Sequence, residues 1–318
     1  MRVAAVDLGT NSLRLLVAES PAVPGAVRPG GGAPVDVIRR LEIVRLGEGV
    51  DATGRVGAPA LTRLAAVLEG YAAEIRRAGA ERVRAVATSA TRDASNRGEV
   101  VAVVRRHLGV VPEVLSGGEE AALTFAGAVL GLATEAVEPL LVVDVGGGST
   151  ELALGTRSGP DRWASLDVGS VRMFERHLRD AGGRPADPPA AGAVGALVQD
   201  VDSALDAAAL PLGSARTVVA VAGTATSVAA QAVRAPTWDD AAMDGVRLDP
   251  DRMDEVVDWL VAAPRQERAA SPSVHPGRVD VLPAGALVLR TVLRRCPDAA
   301  VVVGVRDLLD GAAASLLE

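Results

Sequence analysis

The amino-acid sequence predicts an α/β protein built from two similar domains, and three observations lead to this prediction. The chain has 318 residues, which suits two domains of roughly 150 residues each. Short apolar runs typical of buried strands alternate with longer stretches whose apolar residues recur at helical spacing. A strand, an Asp-x-Gly turn and a returning strand occur near Asp7 and again near Asp144. This recurrence indicates a duplicated domain.

The apolar and polar patterns place the elements of both domains. In the first half we expect strands at 3–6, 13–18, 35–46 (one strand or two), 83–87 and 111–115, and helices at 60–78, 100–108 and 119–132. In the second half we expect strands at 140–143, 150–154, 218–221 and 300–303, and helices at 251–261, 284–295 and 306–317. Residues 21–34 and 182–195 are rich in Pro, Gly and Ala, which predicts loops.

Composition excludes several classes of protein. Aromatic residues make up only 2% of the chain, which argues against a base-stacking surface for single-stranded nucleic acid. The single cysteine, Cys296, excludes an internal disulfide and a cysteine-based metal site. The net charge of −7 provides no positive field for nucleic acid or anionic lipid. Since no leader peptide or apolar run of about 18 residues occurs, we expect a cytoplasmic protein without nucleic-acid or membrane partners.

The basic residues limit how this chain can bind phosphate. All 33 positively charged side chains are arginine. A P-loop NTPase is therefore excluded, because its phosphate-binding loop requires a lysine. Any phosphate group must be bound by arginine, backbone N–H groups, helix N-termini or a metal ion.

Three turns that follow strands are candidates for phosphate binding. The turn at 146–149, with three consecutive glycines, is the strongest candidate. Glycine lowers the stability of regular structure by about 0.5–1 kcal/mol but lets a backbone approach phosphate closely. Asp7 and Asp144, at the strand ends, have the hard oxygen ligands that Mg²⁺ prefers. For each turn, the alternative is an ordinary tight turn without a ligand. For the turn at 223–224, close packing of the backbone is nearly as well supported as phosphate binding. The candidate phosphate-binding residues are Gly9, Thr10, Asn11 and Ser12 in the first turn, Gly146, Gly147, Gly148 and Ser149 in the second, and Gly223 and Thr224 in the third.

Two further positions bear on catalysis. Glu119 and Glu120 begin a predicted helix, where carboxylates either stabilise the helix dipole or act as a general base. Arg92 follows a predicted strand in an expected loop and is a candidate phosphate ligand, with a solvated arginine as the alternative. Arg14 and Arg306 are weaker candidates for the same role.

Seven segments, in order along nearly the whole chain, resemble the Ppx/GppA phosphatases of the actin-like, sugar-kinase and heat-shock-chaperone ATPase superfamily. They are residues 5–12, 87–92, 116–121, 143–151, 222–226, 281–286 and 305–307. The resemblance implies two actin-like (ribonuclease H-like) domains with an interdomain cleft, at 1–125 and 126–303. It further implies that a C-terminal helix within 304–318 packs back on the first domain and that the protein is a homodimer.

The resemblance also implies an activity. Members hydrolyse terminal phosphoanhydride bonds, either of inorganic polyphosphate, which we favour, or of the guanosine pentaphosphate pppGpp at its 5′ end. It implies that Glu120, or its neighbour Glu119, activates water, that Arg92 holds a phosphate, and that Asp144, Glu151 and Asp7 bind or position Mg²⁺, with Mn²⁺ as an alternative. The sequence departs from longer relatives that carry a C-terminal HD-type domain, so we expect a preference for shorter polyphosphate. A small-molecule kinase, a non-catalytic polyphosphate- or nucleotide-binding regulator and a filament subunit are the remaining alternatives.

Overall fold

The computed structural model describes residues 1–20, 34–180 and 182–317. The chain divides into two compact units. Unit 1 comprises Met1–Gly131 together with Arg306–Glu318, and unit 2 comprises Leu132–Val305. Of the loop predicted at 21–34, all but Pro34 lies outside the described residues.

The helices and strands alternate along the chain, as an α/β fold requires. Those in the first part are β1 (Arg2–Leu8), β2 (Ser12–Glu19), β3 (Val35–Ile43), α1 (Val50–Thr53), α2 (Ala58–Ala78), β4 (Arg82–Ala87), α3 (Ser89–Asp93), α4 (Arg97–Leu108), β5 (Glu113–Val114) and α5 (Gly117–Gly131). Those that follow are β6 (Leu140–Val145), β7 (Thr150–Thr156), β8 (Gly159–Leu166), α6 (Ser170–His177), α7 (Ala191–Ala208), β9 (Thr217–Val221), α8 (Ala222–Ala232), β10 (Arg247–Leu248), α9 (Pro250–Ala262), α10 (Arg265–Ala270), α11 (Leu282–Leu293), β11 (Ala300–Val303) and α12 (Leu308–Ala314).

The sheets of the two units share one strand order and one pattern of strand directions. In the described part of unit 1 the strand order is β3-β2-β1-β4-β5, and in unit 2 it is β8-β7-β6-β9-β11, with β10 added at the edge. In each sheet the first three strands are antiparallel and the next two run parallel to the central one. The predicted duplication of an α/β domain is therefore confirmed.

The sheet of unit 1 is covered on both faces. Alternate residues of β1 point to opposite faces: Ala4, Val6 and Leu8 pack in one core with α2 and α4, whereas Ala5 packs with α12. Asp7 has the same parity as Ala5, so it lies on the α12 face of the sheet. This arrangement brings the C-terminal helix beneath the strand that carries Asp7.

Unit 2 has a large, mainly aliphatic core on one face of its sheet. Leu141 and Val143 of β6 pack there with residues of α6, α7, α8, α9 and α11. The strand residues at the centre of the sheet are buried, which explains why β6 and β9 are apolar apart from Asp144 and Thr217. This rigid sheet fixes the position of the turns that leave its strands.

Several predicted elements differ from the structure. The loop expected at 88–92 contains the short helix α3, whose first turn closes when the Thr91 and Arg92 N–H groups donate to Thr88 O. The loop expected at 182–195 ends within α7, whose Ala-rich sequence favours a helix. Strand β8 and helix α6 were not predicted, because β8 is an exposed edge strand and α6 is only eight residues long. Among the described residues, no helix is long and apolar enough to span a bilayer.

Helices α5 and α12 cross at glycines. A Cβ atom on Gly127 would lie 1.9 Å from Asp307 O, and one on Gly311 would lie 2.1 Å from Leu123 O. Backbone atoms cannot move aside as a flexible side chain can, so this crossing requires glycine at both positions. By contrast, a Cβ on Gly70 of α2 would meet no atom within 4 Å.

We predict that these glycines respond oppositely to substitution. Gly127→Ala should destabilise the protein by about 3 kcal/mol, because the added methyl overlaps backbone of α12. Gly70→Ala, the matched control, should stabilise it by up to about 1 kcal/mol through helix propensity. Thermal unfolding followed by circular dichroism measures both changes. If Gly127→Ala left the melting temperature unchanged, the close crossing of α5 and α12 would be wrong.

Candidate active site

The first predicted phosphate turn connects β1 and β2. The Gly9 N–H donates to Ser12 O at 3.0 Å, and a Cβ on Gly9 would lie only 2.9 Å from that oxygen. The turn therefore requires glycine. The N–H groups of Thr10 and Asn11 donate to no acceptor among the described residues, so this turn can offer backbone donors to an anion.

Asp7, at the end of β1, is buried and paired with Arg14 directly opposite on β2. Arg14 Nε and Nη2 both donate to Asp7 Oδ2, at 3.0 and 2.7 Å. The other oxygen, Oδ1, is buried and has no hydrogen-bond partner among the residues that the structure describes. Burial raises the pKa of Asp7 above its ordinary value, whereas the Arg14 charge and hydrogen bonds lower it.

Glu120 lies in the first turn of α5 and is 7% exposed. Its Oε2 accepts a 2.9 Å hydrogen bond from Arg92 Nη1, which also donates to Leu115 O at 3.0 Å. Burial raises the pKa of Glu120 to about 7, Arg92 opposes this shift, and the charges of Asp7 and Asp93 add to it. A carboxylate with this pKa is half ionised near neutral pH, which suits a general base. Arg92 itself lies in α3 rather than in the loop that the sequence predicts.

Glu119, the neighbouring residue, has a different environment. Its Oε2 accepts from the Ser116 N–H at 2.8 Å and from Ser116 Oγ at 2.7 Å, while the Glu119 N–H donates back to Ser116 Oγ. These bonds form the reciprocal pattern of a helix capping box. The Ser116 hydrogen bonds lower the pKa of Glu119, so this carboxylate is a poorer proton acceptor than Glu120.

In unit 2, the second predicted phosphate turn repeats the geometry of the first. The Gly146 N–H donates to Ser149 O at 3.0 Å, the same bond that Gly9 makes to Ser12. The N–H groups of Gly147 and Gly148 donate to no acceptor in the described part of the chain. The loop can therefore present two consecutive backbone donors to an anion.

The N-terminus of α6 supports this turn from behind. The Ser170 and Val171 N–H groups donate to Gly146 O and Gly147 O at 2.9 and 2.8 Å, and Arg172 Nε donates to Gly148 O at 2.7 Å. A Cβ on Gly169 would lie 2.6 Å from the turn backbone. With its carbonyl groups held in this way, the turn keeps a fixed shape and its N–H groups keep their directions.

Asp144 and Glu151 are directly opposite each other on β6 and β7, and both are buried. Residues in register share one face of the sheet, with Cβ atoms about 4.5–5.5 Å apart. Glu151 Oε1 also accepts a 2.8 Å hydrogen bond from Ser165 Oγ. The equivalent pair in unit 1 is Asp7 and Arg14, so the two repeats carry opposite charges at the second position.

The third predicted turn leads from β9 into α8. Ala222 adopts a φ of 65°, a strained value for a residue with a side chain. A Cβ on Gly223 would lie 2.4 Å from the Arg278 guanidinium carbon, and Thr224 Oγ1 donates to Val145 O at 3.2 Å. Close packing thus explains the small side chain at Gly223, while the helix N-terminus still has N–H groups without intrahelical partners.

Sequence reasoning missed three arginines that hold these turns. Arg14 was weighed only as a phosphate ligand, but it holds Asp7 and also donates to Asp307 Oδ2. Arg172 and Arg278 gave no motif signal, since each acts on backbone that is distant in sequence. A search for arginines opposite acidic residues on adjacent strands, seven positions apart, would have found Arg14.

The repeated sheets and turns define an actin-like α/β protein. The family model described as the Ppx/GppA phosphatase family matches residues 26–316. Exopolyphosphatase 2 of Mycobacterium tuberculosis strain H37Rv is 42% identical, with 99% of this chain and 98% of that protein covered. The crystal structure of an exopolyphosphatase-like protein matches with a TM-score of 0.91 and 36% identity, covering 100% of this chain and 99% of that one. The Aquifex aeolicus Ppx/GppA family member matches with a TM-score of 0.79 and 28% identity, covering 100% and 97%.

The chain therefore belongs to the Ppx/GppA phosphatase family. This confirms the resemblance inferred from the seven sequence segments.

We predict that the environment of Glu120 makes stability depend on pH. The folded protein keeps a proton on Glu120 up to a pKa of about 7, whereas the unfolded chain releases it near 4.5. Stability from this group is therefore present below about pH 4.5 and lost as the pH rises to about 7. Glu120→Gln should thus gain about 2–3 kcal/mol relative to wild type between about pH 5 and about pH 8.

Melting temperatures of both proteins at the two pH values check this prediction. Glu119→Gln is the matched control and should not show the same gain, because the pKa of Glu119 is lowered. A difference between Glu120→Gln and wild type that does not change with pH would mean that Glu120 has an ordinary pKa.

Proposed function

We propose that this protein is an exopolyphosphatase, which hydrolyses the terminal phosphoanhydride bond of inorganic polyphosphate and releases orthophosphate. The observation that carries the proposal is Glu120, a buried carboxylate with a pKa of about 7 held by Arg92. The names of full-length relatives support polyphosphate as the substrate.

Glu120 is the base in the proposed reaction. It takes a proton from water as the water oxygen bonds to the terminal phosphorus. The bridging P–O bond breaks, so that orthophosphate forms and the shortened chain leaves. Arg92 keeps the carboxylate oriented and brings positive charge toward the phosphoryl oxygens, which otherwise repel the attacking water. Glu119 caps α5 and fixes the start of the helix that carries Glu120.

Backbone donors would bind the phosphate groups in the absence of lysine. Unit 1 offers the N–H groups of Thr10 and Asn11, near the side chain of Ser12, and unit 2 offers those of Gly147 and Gly148, near Ser149. Donors fixed by the surrounding structure stabilise developing charge without reorganising. For Gly223 and Thr224 we propose a supporting role, at the N-terminus of α8.

Each unit has acidic residues that suit a divalent cation, which prefers oxygen ligands. Asp144 and Glu151 are buried on one face of adjacent strands, and Asp7 Oδ1 has no hydrogen-bond partner among the described residues. These same described residues contain no group of three or more His, Cys, Asp or Glu side chains suited to a metal. Mg²⁺, or Mn²⁺ in its place, would therefore complete its shell with water and substrate oxygens, as Mg²⁺ usually does. When bound, the cation offsets negative charge on the phosphate.

Hydrolysis of pppGpp is the alternative within the same family, because the bond that breaks is of the same type. The homodimer, the cytoplasmic location and the lack of a nucleic-acid partner stay predictions from the sequence.

We predict that Glu120→Gln lowers phosphate release from short-chain polyphosphate by about 10²–10⁴-fold, since the amide cannot accept the proton. Polyphosphate binding should be retained. Glu119→Gln is the matched control: its amide oxygen still accepts from Ser116, so most activity should remain.

The assay compares short-chain polyphosphate, long-chain polyphosphate and pppGpp, each with Mg²⁺. Equal loss in both variants, or none in Glu120→Gln, would contradict the assignment of the base. Release from pppGpp alone would replace the proposed substrate, and binding without release would indicate a regulator.

A further inference from the structure

A buried ionic chain links Asp7 to the C-terminal helix of unit 1. The Arg14 guanidinium lies between two carboxylates: Nε and Nη2 donate to Asp7 Oδ2, and Nη1 donates to Asp307 Oδ2. Both aspartates are buried, at 3% and 2% exposure. Asp7 and Asp307 are 300 residues apart in the sequence.

Asp307 is itself fixed. Its second oxygen, Oδ1, accepts from the Leu309 N–H at 3.0 Å as the N-cap of α12. Leu309, Ala312 and Ala313 pack that helix against the sheet. Arg14 is thus held at one end by a rigid element, and its fork defines where Asp7 Oδ2 must lie.

This arrangement leaves one carboxylate oxygen of Asp7 able to accept a bond from a ligand. Oδ2 accepts both donors of the Arg14 fork, while Oδ1 is buried without a partner among the described residues. A buried acceptor left without a hydrogen bond destabilises the folded protein, so a group outside the chain is expected to satisfy it. On the proposed function, that group is the divalent cation or one of its water ligands.

We propose that Arg14 and Asp307 are positioning residues, which fix the Asp7 carboxylate so that Oδ1 faces the cation. The inference rests on the proposed function for the identity of the ligand. The C-terminal segment thereby has a role in the site, because Asp307 acts on the cation through Arg14 and Asp7.

A second ion-pair network on α12 provides a control. Asp310 is fully buried and accepts from Arg39 Nη1 at 3.2 Å and from Arg306 Nη1 at 3.3 Å. No hydrogen bond connects Arg39 to Asp7 among the described residues. Asp310 also accepts from the Asp307 N–H at 3.2 Å, so Arg39→Gln loosens α12 but leaves the Arg14 bonds to Asp7 and Asp307 in place.

The experiment is a titration of the intact protein with Mn²⁺, without substrate, in which free Mn²⁺ is measured by electron paramagnetic resonance. Arg14→Gln should bind Mn²⁺ about 10–100-fold more weakly than wild type, as is typical when a residue that orients a ligand is lost. Arg14→Lys should fall between them, because an ammonium keeps the charge but not the fork. Asp307→Asn keeps a good N-cap and should also weaken binding.

The control and the opposing outcomes separate positioning from stability. Arg39→Gln should lower the melting temperature but weaken Mn²⁺ binding much less than Arg14→Gln does. Unchanged or tighter binding by folded Arg14→Gln would overturn the inference, since the charge of Arg14 would then merely repel the cation. If Arg14→Gln does not fold, wild-type Mn²⁺ affinity in both Arg14→Lys and Asp307→Asn would overturn the inference. Weakening of Mn²⁺ binding by Arg39→Gln as large as that by the Arg14 variants would also overturn it. So would the absence of Mn²⁺ binding by the wild-type protein.

Phosphate release from polyphosphate is measured on the same preparations. If wild type binds Mn²⁺ but releases no phosphate, the proposed function fails while the comparison of affinities still tests positioning. If wild type releases phosphate and Arg14→Gln retains its Mn²⁺ affinity, the function stands and the inference fails.

Discussion

The ion pair between Arg92 and Glu120 is the interaction on which the candidate site of unit 1 depends. Glu120 is almost fully buried at the start of α5, where an unpaired carboxylate would cost several kcal/mol. Arg92 reduces that cost, while burial and the charges of Asp7 and Asp93 keep the pKa near 7. Because these effects oppose one another, the carboxylate is both ionisable and basic at neutral pH. The short helix α3 and the Leu115 carbonyl hold Arg92 where this balance requires it.

The same type of turn occurs in both units, but the residue opposite its aspartate carries a different charge in each. In each, a glycine N–H closes the turn onto a serine carbonyl three residues later, and an aspartate precedes the turn at the end of the central strand. The residue opposite that aspartate is Arg14 in unit 1 and Glu151 in unit 2. The first pair neutralises most of its charge and leaves one oxygen of Asp7 available. The second places two carboxylates on one face of the sheet.

Local signals in the sequence predicted most of the strands, the three turns and the family. Gly9 and Gly146 stand where a turn must be tight, and apolar runs such as 140–143 can only be buried, so one-dimensional patterns are sufficient there. The Arg14–Asp307 contact joins residues 293 positions apart, and no local pattern encodes it. The pKa of Glu120 likewise depends on burial and on charges from two other segments, β1 and α3. The sequence predicts a loop where helix α3 lies, because its Ser and Thr residues have low helix propensity.

The pH dependence of kcat/KM for phosphate release from short-chain polyphosphate, at saturating Mg²⁺, tests the role of Glu120 most directly. The base must be ionised, so kcat/KM should rise with pH and level off above an apparent pKa near 7. In Arg92→Gln the midpoint should move to higher pH, because the cation that lowers the pKa of Glu120 is gone. A profile that stays flat between about pH 5 and about pH 8, or a midpoint that Arg92→Gln does not move, would contradict the account.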